Sequence, residues 1–205
     1  MPGTDATANP AAPPASGGNG SAGEARGRLL LALARAAIAE SLGLPVAAPA
    51  EQLSWLREPG ATFVTLKCEG RLRGCVGSIR ARRPLGEDVR ANARAAAFAD
   101  PRFPPLTPPE WRATRVEVSL LTPPEPLAPA PSEEAAATAL VPGIDGLVLE
   151  YRHHGATFLP QVWEQLRDPA EFLAHLKHKA GLPRTFWSPE IRLLRYRVEK
   201  WAEEE

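Results

Sequence analysis

The sequence predicts an α+β fold in which antiparallel sheets are covered by helices, arranged as two lobes behind an N-terminal amphipathic helix. Three observations carry that expectation. Strand-like runs come in pairs around short turn signals, as hairpins do. The order strand, strand, helix, strand occurs twice along the chain. No strand–helix–strand crossover of the parallel kind is needed to join these segments.

The elements follow in chain order. Residues 1–24 are almost all Ala, Pro, Gly, Ser, Thr and Asn, with nothing large and apolar after Met1 to offset the entropy of ordering, and they read as a disordered tail. In "EARGRLLLALARAAIAESLG", Leu30, Leu33, Ala37 and Ile38 share one helical face, and Gly43 stands where a C-terminal cap belongs. "ATFVTLKCEGRLRGCVGSI" is a hairpin around Glu69 and Gly70, and "PLGEDVRANARAAAFAD" is a helix opened by Pro84 and acidic residues and closed before Pro101. "RVEVSLL" alternates as a strand does. A Pro- and Ala-rich linker, residues 122–145, leads to a hairpin expected to turn near His154 and Gly155, a helix between Asp168 and Gly181, and a final strand in "EIRLLRYRVEKW". Lobe one is thus residues 25–121 and lobe two residues 146–201. The two sheets are expected to leave a concavity at their junction, bordered by Cys75 and Arg73, with Phe103 or Trp163 as a wall.

With 205 residues, 44% hydrophobic and 23% charged, the chain can bury a real core. Its formal net charge is zero, so bulk electrostatics supply no pull toward nucleic acid or membrane. Two cysteines, the lack of an 18-residue apolar run and the lack of a basic-then-apolar leader predict a cytoplasmic protein without disulfide architecture. No cofactor is expected. Phosphate loop, nucleophile elbow and dinucleotide fingerprint are all missing. His175 and His178 stand three apart on a helix but find no third ligand, so no metal site is expected.

The chemistry concentrates at "LRGCVGS", residues 72–78. Strand alternation puts Arg71, Arg73, Cys75, Gly77 and Ile79 on one face and Leu72, Val76 and Ser78 on the packed one. A cation beside a cysteine favours attack on electrophiles, which makes Cys75 and Arg73 candidate catalytic residues, with Gly74 and Gly77 giving a substrate or another backbone room to approach. A small buried hydrophobe is the alternative reading of the same cysteine. A two-residue turn sets Cys75 opposite Val64, beyond disulfide reach of Cys68. No general base is identified.

Further candidates surround this hairpin. Residues 71–94 hold seven arginines against Glu87 and Asp88, which suits a small anionic ligand or a solvated surface. Nucleic acid is not expected, because no aromatic residues interleave with the arginines. Arg102, followed by Phe103 and two prolines, is either aimed by a rigid loop or engaged in a local ion pair. Gln161 and Trp163 lie just past a strand end, and Lys179 ends a helix.

"LRGCVGS", "DPRFPPLTPPEW" before "VEVSLL", "GIDGLVLEY", "TFLPQVW" and "KAGL" stand in an order that closely resembles the AMMECR-type domain, also called AmmeMemoRadiSam system protein A, over residues 26–201. The resemblance implies an intracellular α+β domain of two lobes, spread from bacteria to humans, whose activity is not established. Its signature, Leu-Arg-Gly-Cys-Ile-Gly, differs here only by Val76. The system's name implies association with a Memo-like protein and a radical-SAM protein. On this reading the domain belongs to a small-molecule or macromolecule modification pathway with a thiol site at the hairpin. A protein-interaction module using the same hairpin, and nucleic-acid binding through residues 71–94, are the alternatives.

Overall fold

The computed structural model describes residues 21–46, 53–127 and 131–204. Residues 1–20 of the expected tail lie outside the described residues, while residues 21–24 already belong to the first helix, α1 (Ser21–Ser41). Leu30, Leu33, Ala37 and Ile38 are fully buried along it, and Gly43, at φ 70°, stops the chain as a left-handed cap does.

The first sheet is antiparallel. Strand β1 (Pro59–Cys68) is central, with β2 (Arg71–Gly77) on one side and β4 (Thr114–Leu121) on the other, while β3 (Arg83–Pro84) pairs with its beginning. Glu69 and Gly70 both take positive φ, 50° and 74°, the pattern of a two-residue hairpin turn. The register then slips: Leu66 faces Gly74 and Lys67 faces Leu72, so Arg73 is the extra residue of a bulge. Cys75 therefore lies opposite Thr65 rather than Val64. The bulge also changes which side chains are packed. Gly74 and Val76 face inward, whereas Leu72, expected inside, is 44% exposed.

Helix α2 (Leu85–Phe98) and α1 cover one face of this sheet, where Leu85, Val89, Ala93 and Ala96 close on Val64, Leu66, Val116 and Val118. The short α3 (Pro108–Ala113) leads into β4, and Glu110 reaches back to the Thr107 N–H as in a capping box.

The second sheet repeats the plan. The linker is not bare: it contributes β5 (Glu125–Pro126) and α4 (Glu133–Thr138). Strand β6 (Gly146–Tyr151) is central, between β7 (His154–Phe158) and β8 (Arg192–Tyr196). The hairpin turns at Arg152 and His153, two residues before the expected position, with Arg152 at φ 54° although it is not glycine. Helix α5 (Pro169–Lys179) packs Phe172, Leu173 and Leu176 into the second core. The Asp168 carboxylate accepts the Ala170 and Glu171 N–H groups at 2.8 and 2.9 Å as its cap.

The expected final strand is two strands in different sheets. At Arg197 the chain leaves β8 and enters β9 (Val198–Ala202), which pairs with β4 in the first sheet. The strand after β4 likewise crosses over, since β5 pairs with β8. The sheet orders are β2-β1-β4-β9 and β7-β6-β8-β5, so the first sheet takes its last strand from the end of the second lobe and the second sheet takes its last strand from the linker that follows β4. The crossovers meet: the Thr122 N–H donates to the Arg197 carbonyl, and the Arg197 N–H donates to the Thr122 hydroxyl, both at 2.9 Å. Ala61, Leu121 and Tyr196, packed with Phe63, Val148, Leu159 and Val198, form a small core beside them.

Candidate functional site

Strand β2 is a sheet edge, so alternate main-chain groups along it have no strand partner. At Cys75 these groups are taken by side chains. The Cys75 N–H donates to Asp100 Oδ2 at 2.9 Å, and its carbonyl accepts from Arg102 Nη2 at 3.1 Å. Asp100 and Arg102 are themselves locked in a bidentate pair, Nε to Oδ1 at 2.9 Å and Nη2 to Oδ2 at 2.7 Å. The two residues thus act as a substitute neighbouring strand, brought there by the loop that leaves α2 through Pro101. The Arg102 hydrogen bond, helped by the Cys75 and Arg102 N–H groups, outweighs burial and holds the Asp100 carboxyl well below the usual carboxylate range. Arg102 is pushed above its ordinary value, chiefly by Asp100, with the Cys75 side chain adding to the effect.

The cysteine side chain lies on the sheet face away from α1 and α2. Its sulfur accepts a hydrogen bond from the Thr65 hydroxyl at 3.3 Å, and the residue is partly exposed. Thr65 is also the register partner of Glu117 on β4, and Glu117 binds Lys67 at 2.5 Å and Lys200 at 2.6 Å. Burial would raise the Glu117 carboxyl, but the hydrogen bonds and charges of the two lysines overcome it and keep the group below its ordinary value.

Arg73 takes another direction. The bulge turns its guanidinium to Glu110, Nε to Oε1 at 3.0 Å and Nη2 to Oε2 at 3.3 Å, with a further bond to the Pro105 carbonyl. It is only 8% exposed, and an arginine buried that far needs such a partner. Its hydrogen bond holds the Glu110 carboxyl down to about 2. The cation that meets Cys75 is therefore Arg102, while Arg73 fastens the hairpin to α3. The Phe103 ring lies near both cations, 5.9 Å from Arg73 and 5.5 Å from Arg102.

The glycines do not open space for a substrate. A Cβ at Gly74 would lie 2.1 Å from the Ala96 carbonyl oxygen, and one at Gly77 would lie 2.3 Å from the Phe63 ring. Gly74 lets α2 pack against the strand, and Gly77 accommodates an aromatic ring.

The remaining candidates fall elsewhere. Trp163 stacks on Phe172 with centroids 3.8 Å apart and donates its indole N–H to the Asp145 carbonyl at 2.7 Å, so it belongs to the second core. Together with Gln161 and Lys200 it also borders a groove of about 510 Å³. Lys179 donates to the Thr157 carbonyl at 3.0 Å. A concavity between the lobes exists, about 420 Å³, but Ser78, Ile79, Arg80 and Arg82 line its first-lobe side in place of Cys75 and Arg73.

Sequence reasoning missed Thr65, Asp100 and Glu110, and it missed a buried polar hub at Asp88. That carboxylate accepts from the Thr62 N–H and hydroxyl, the Ser78 hydroxyl, Arg83 and Asn92. Asp88 and Asn92 stand four apart among the apolar positions of α2, a signal the sequence did contain.

A domain of two lobes whose sheets are joined by strand crossovers, with a cysteine gripped at a sheet edge by an Asp-Pro-Arg loop, defines the class. Residues 31–201 match the AMMECR1 family, and the chain belongs to it. It is 38% identical over 182 residues to a protein of Methanothermobacter thermautotrophicus, covering 87% of this chain and 94% of that one. It is 40% identical over 152 residues to Protein MJ0810 of Methanocaldococcus jannaschii, with coverage of 72% and 75%. The crystal structure of uncharacterized protein PH0010 from Pyrococcus horikoshii superimposes with a TM-score of 0.75 at 36% identity, covering 87% of this chain and 91% of that one. Among the described residues no helix is long and apolar enough to cross a membrane.

Proposed function

We propose that this domain is a component of a small-molecule or macromolecule modification pathway and that Cys75 is its reacting group. The observation that supports this reading is the double grip on Cys75, main chain held by Asp100 and Arg102 and sulfur facing the Thr65 hydroxyl. Negative charge developing on sulfur as it attacks an electrophile would meet a hydroxyl donor and a guanidinium already in position, so little reorganisation is required. A Memo-like protein and a radical-SAM protein are proposed partners on family resemblance.

The test is alkylation kinetics in a Cys68→Ala background. Iodoacetamide is expected to label Cys75, and Arg102→Gln and Thr65→Val are each expected to slow labelling several-fold. Equal rates in all three proteins would remove the argument.

A second reading, a non-catalytic module that docks a protein through the same hairpin, is favoured by the exposure of Leu72 beside the site. With a Memo-like protein as bait, this reading expects Leu72→Glu to abolish capture and Cys75→Ala to leave it intact. Nucleic-acid binding loses support, because Arg73, Arg80, Arg83, Arg90 and Arg94 each pair with a carboxylate of the same chain.

A further inference from the structure

The groove between the lobes takes no part in the thiol site. Its first-lobe wall is the segment after β2, with Ile79, Arg80 and Arg82; its second-lobe wall comes from β6 and β7, with Val148, Glu150 and Gly155. We infer that this groove binds a small phosphate monoester carrying an apolar body.

Charge is the first argument. Arg80 reaches across the groove to Glu150, and Arg192 binds the same carboxylate at 3.5 Å. Arg82 also lines the groove and makes no ion pair among the described residues. The groove lining thus carries two guanidiniums, Arg80 and Arg82, against one carboxylate, Glu150, and that carboxylate is already shared with Arg192 outside the lining, so the local balance is positive. A phosphate monoester carries a charge of about −2 at neutral pH, whereas a carboxylate ligand brings half of that. Guanidinium forks suit its oxygens, and an entering phosphate can replace Glu150 as the partner of Arg80.

Space is the second argument. At about 420 Å³ the groove falls in the size range of small-molecule sites, and Ile79, Val148 and Ala156 give it an apolar lining. Next to this lining Gly155 is open: a Cβ there would meet only the Leu149 carbonyl, at 3.6 Å. A larger side chain at that position therefore fills the groove without straining the fold.

The experiment is calorimetric titration of the full chain with phenyl phosphate. Binding is expected, and Arg82→Ala should weaken it about tenfold or more, the worth of one charge-assisted hydrogen bond. Gly155→Leu should block it with the melting temperature preserved, and Glu150→Gln, which frees Arg80, should tighten it. Benzoate and inorganic phosphate should each bind more weakly, one for lack of charge and the other for lack of an apolar body. Cys75→Ala should bind as the parent does, so the outcome is independent of the thiol chemistry. Absence of binding, equal affinity in the parent, Arg82→Ala and Gly155→Leu proteins, or benzoate binding as tightly as phenyl phosphate would each overturn the inference.

Discussion

Cys75 illustrates how a residue's neighbours, rather than its own side chain, define a site. Its two main-chain groups hold an acid–base pair in place, and that pair in turn brings a guanidinium to the Cys75 carbonyl. Two carboxylates at this edge, Asp100 and Glu110, are held below their ordinary values by arginines. The sign of the pH effect follows. A group whose folded value is depressed contributes stability above its unfolded value and loses that contribution as pH falls through the folded one. For Glu110 the window runs from 4.5 down to about 2. The urea midpoint of the parent protein is expected to fall across that window, and Glu110→Gln should start lower at neutral pH and fall less. A parallel pair of pH profiles would show that the Arg73–Glu110 bridge contributes nothing.

At the scale of elements, β2 is held in place by a neighbouring helix on one side and a loop on the other. Helix α2 comes so close that only glycine fits at position 74, because the atom in the way is a backbone oxygen that cannot rotate aside. Gly74→Ala is therefore expected to destabilise the domain by about 1–3 kcal/mol, the usual range for overpacking, and more if the helix cannot shift. Chemical denaturation measures it; a loss below about 0.5 kcal/mol, the spread of ordinary surface changes, would mean that α2 moves freely on the strand. Along the opposite border of β2, Asp100 and Arg102 cover an edge that would otherwise be open to pairing with another chain. The hub at Asp88 ties the beginning of α2 to β1 and to the end of β2 through Thr62 and Ser78, so one helix positions the end and, through Gly74, the middle of the strand that bears the thiol.

Across the whole molecule, the strand crossovers join two repeated lobes into one unit. Neither sheet is complete from its own lobe alone, since β9, from the end of the second lobe, closes the first and β5, from the linker after β4, closes the second. The buried Tyr196, whose phenol is pushed up to about 12 by desolvation, sits at the joint and binds the Phe158 carbonyl and Thr157 hydroxyl. Unfolding is accordingly expected to be cooperative. In native-state hydrogen exchange with rising urea, the amides of Val64 and Leu149, one from each central strand, should merge into a single global isotherm. Two separate isotherms would show that the lobes open independently.

Local rules made much of this architecture legible. Helical periodicity marked the buried face of α1, the Glu69-Gly70 pair marked the first hairpin, and Asp168 marked the start of α5. These are short-range effects, decided by turn sterics, capping and side-chain spacing within a few residues. The repeat was legible for the same reason, since each half carries its own local signals. What local pattern does not encode is partner choice. "RYRVEK" reads as one strand, and only the position of the second sheet ends it at Arg197 and sends the rest to β4. The sequence by itself determined that a cysteine, two glycines and several arginines gather at one hairpin. Tertiary structure decided that Arg102, 27 residues away, meets the cysteine while Arg73 turns to Glu110. The physical reason is that a one-residue bulge reverses which face a side chain takes, and a buried charge then settles on whichever counter-charge the fold carries within reach.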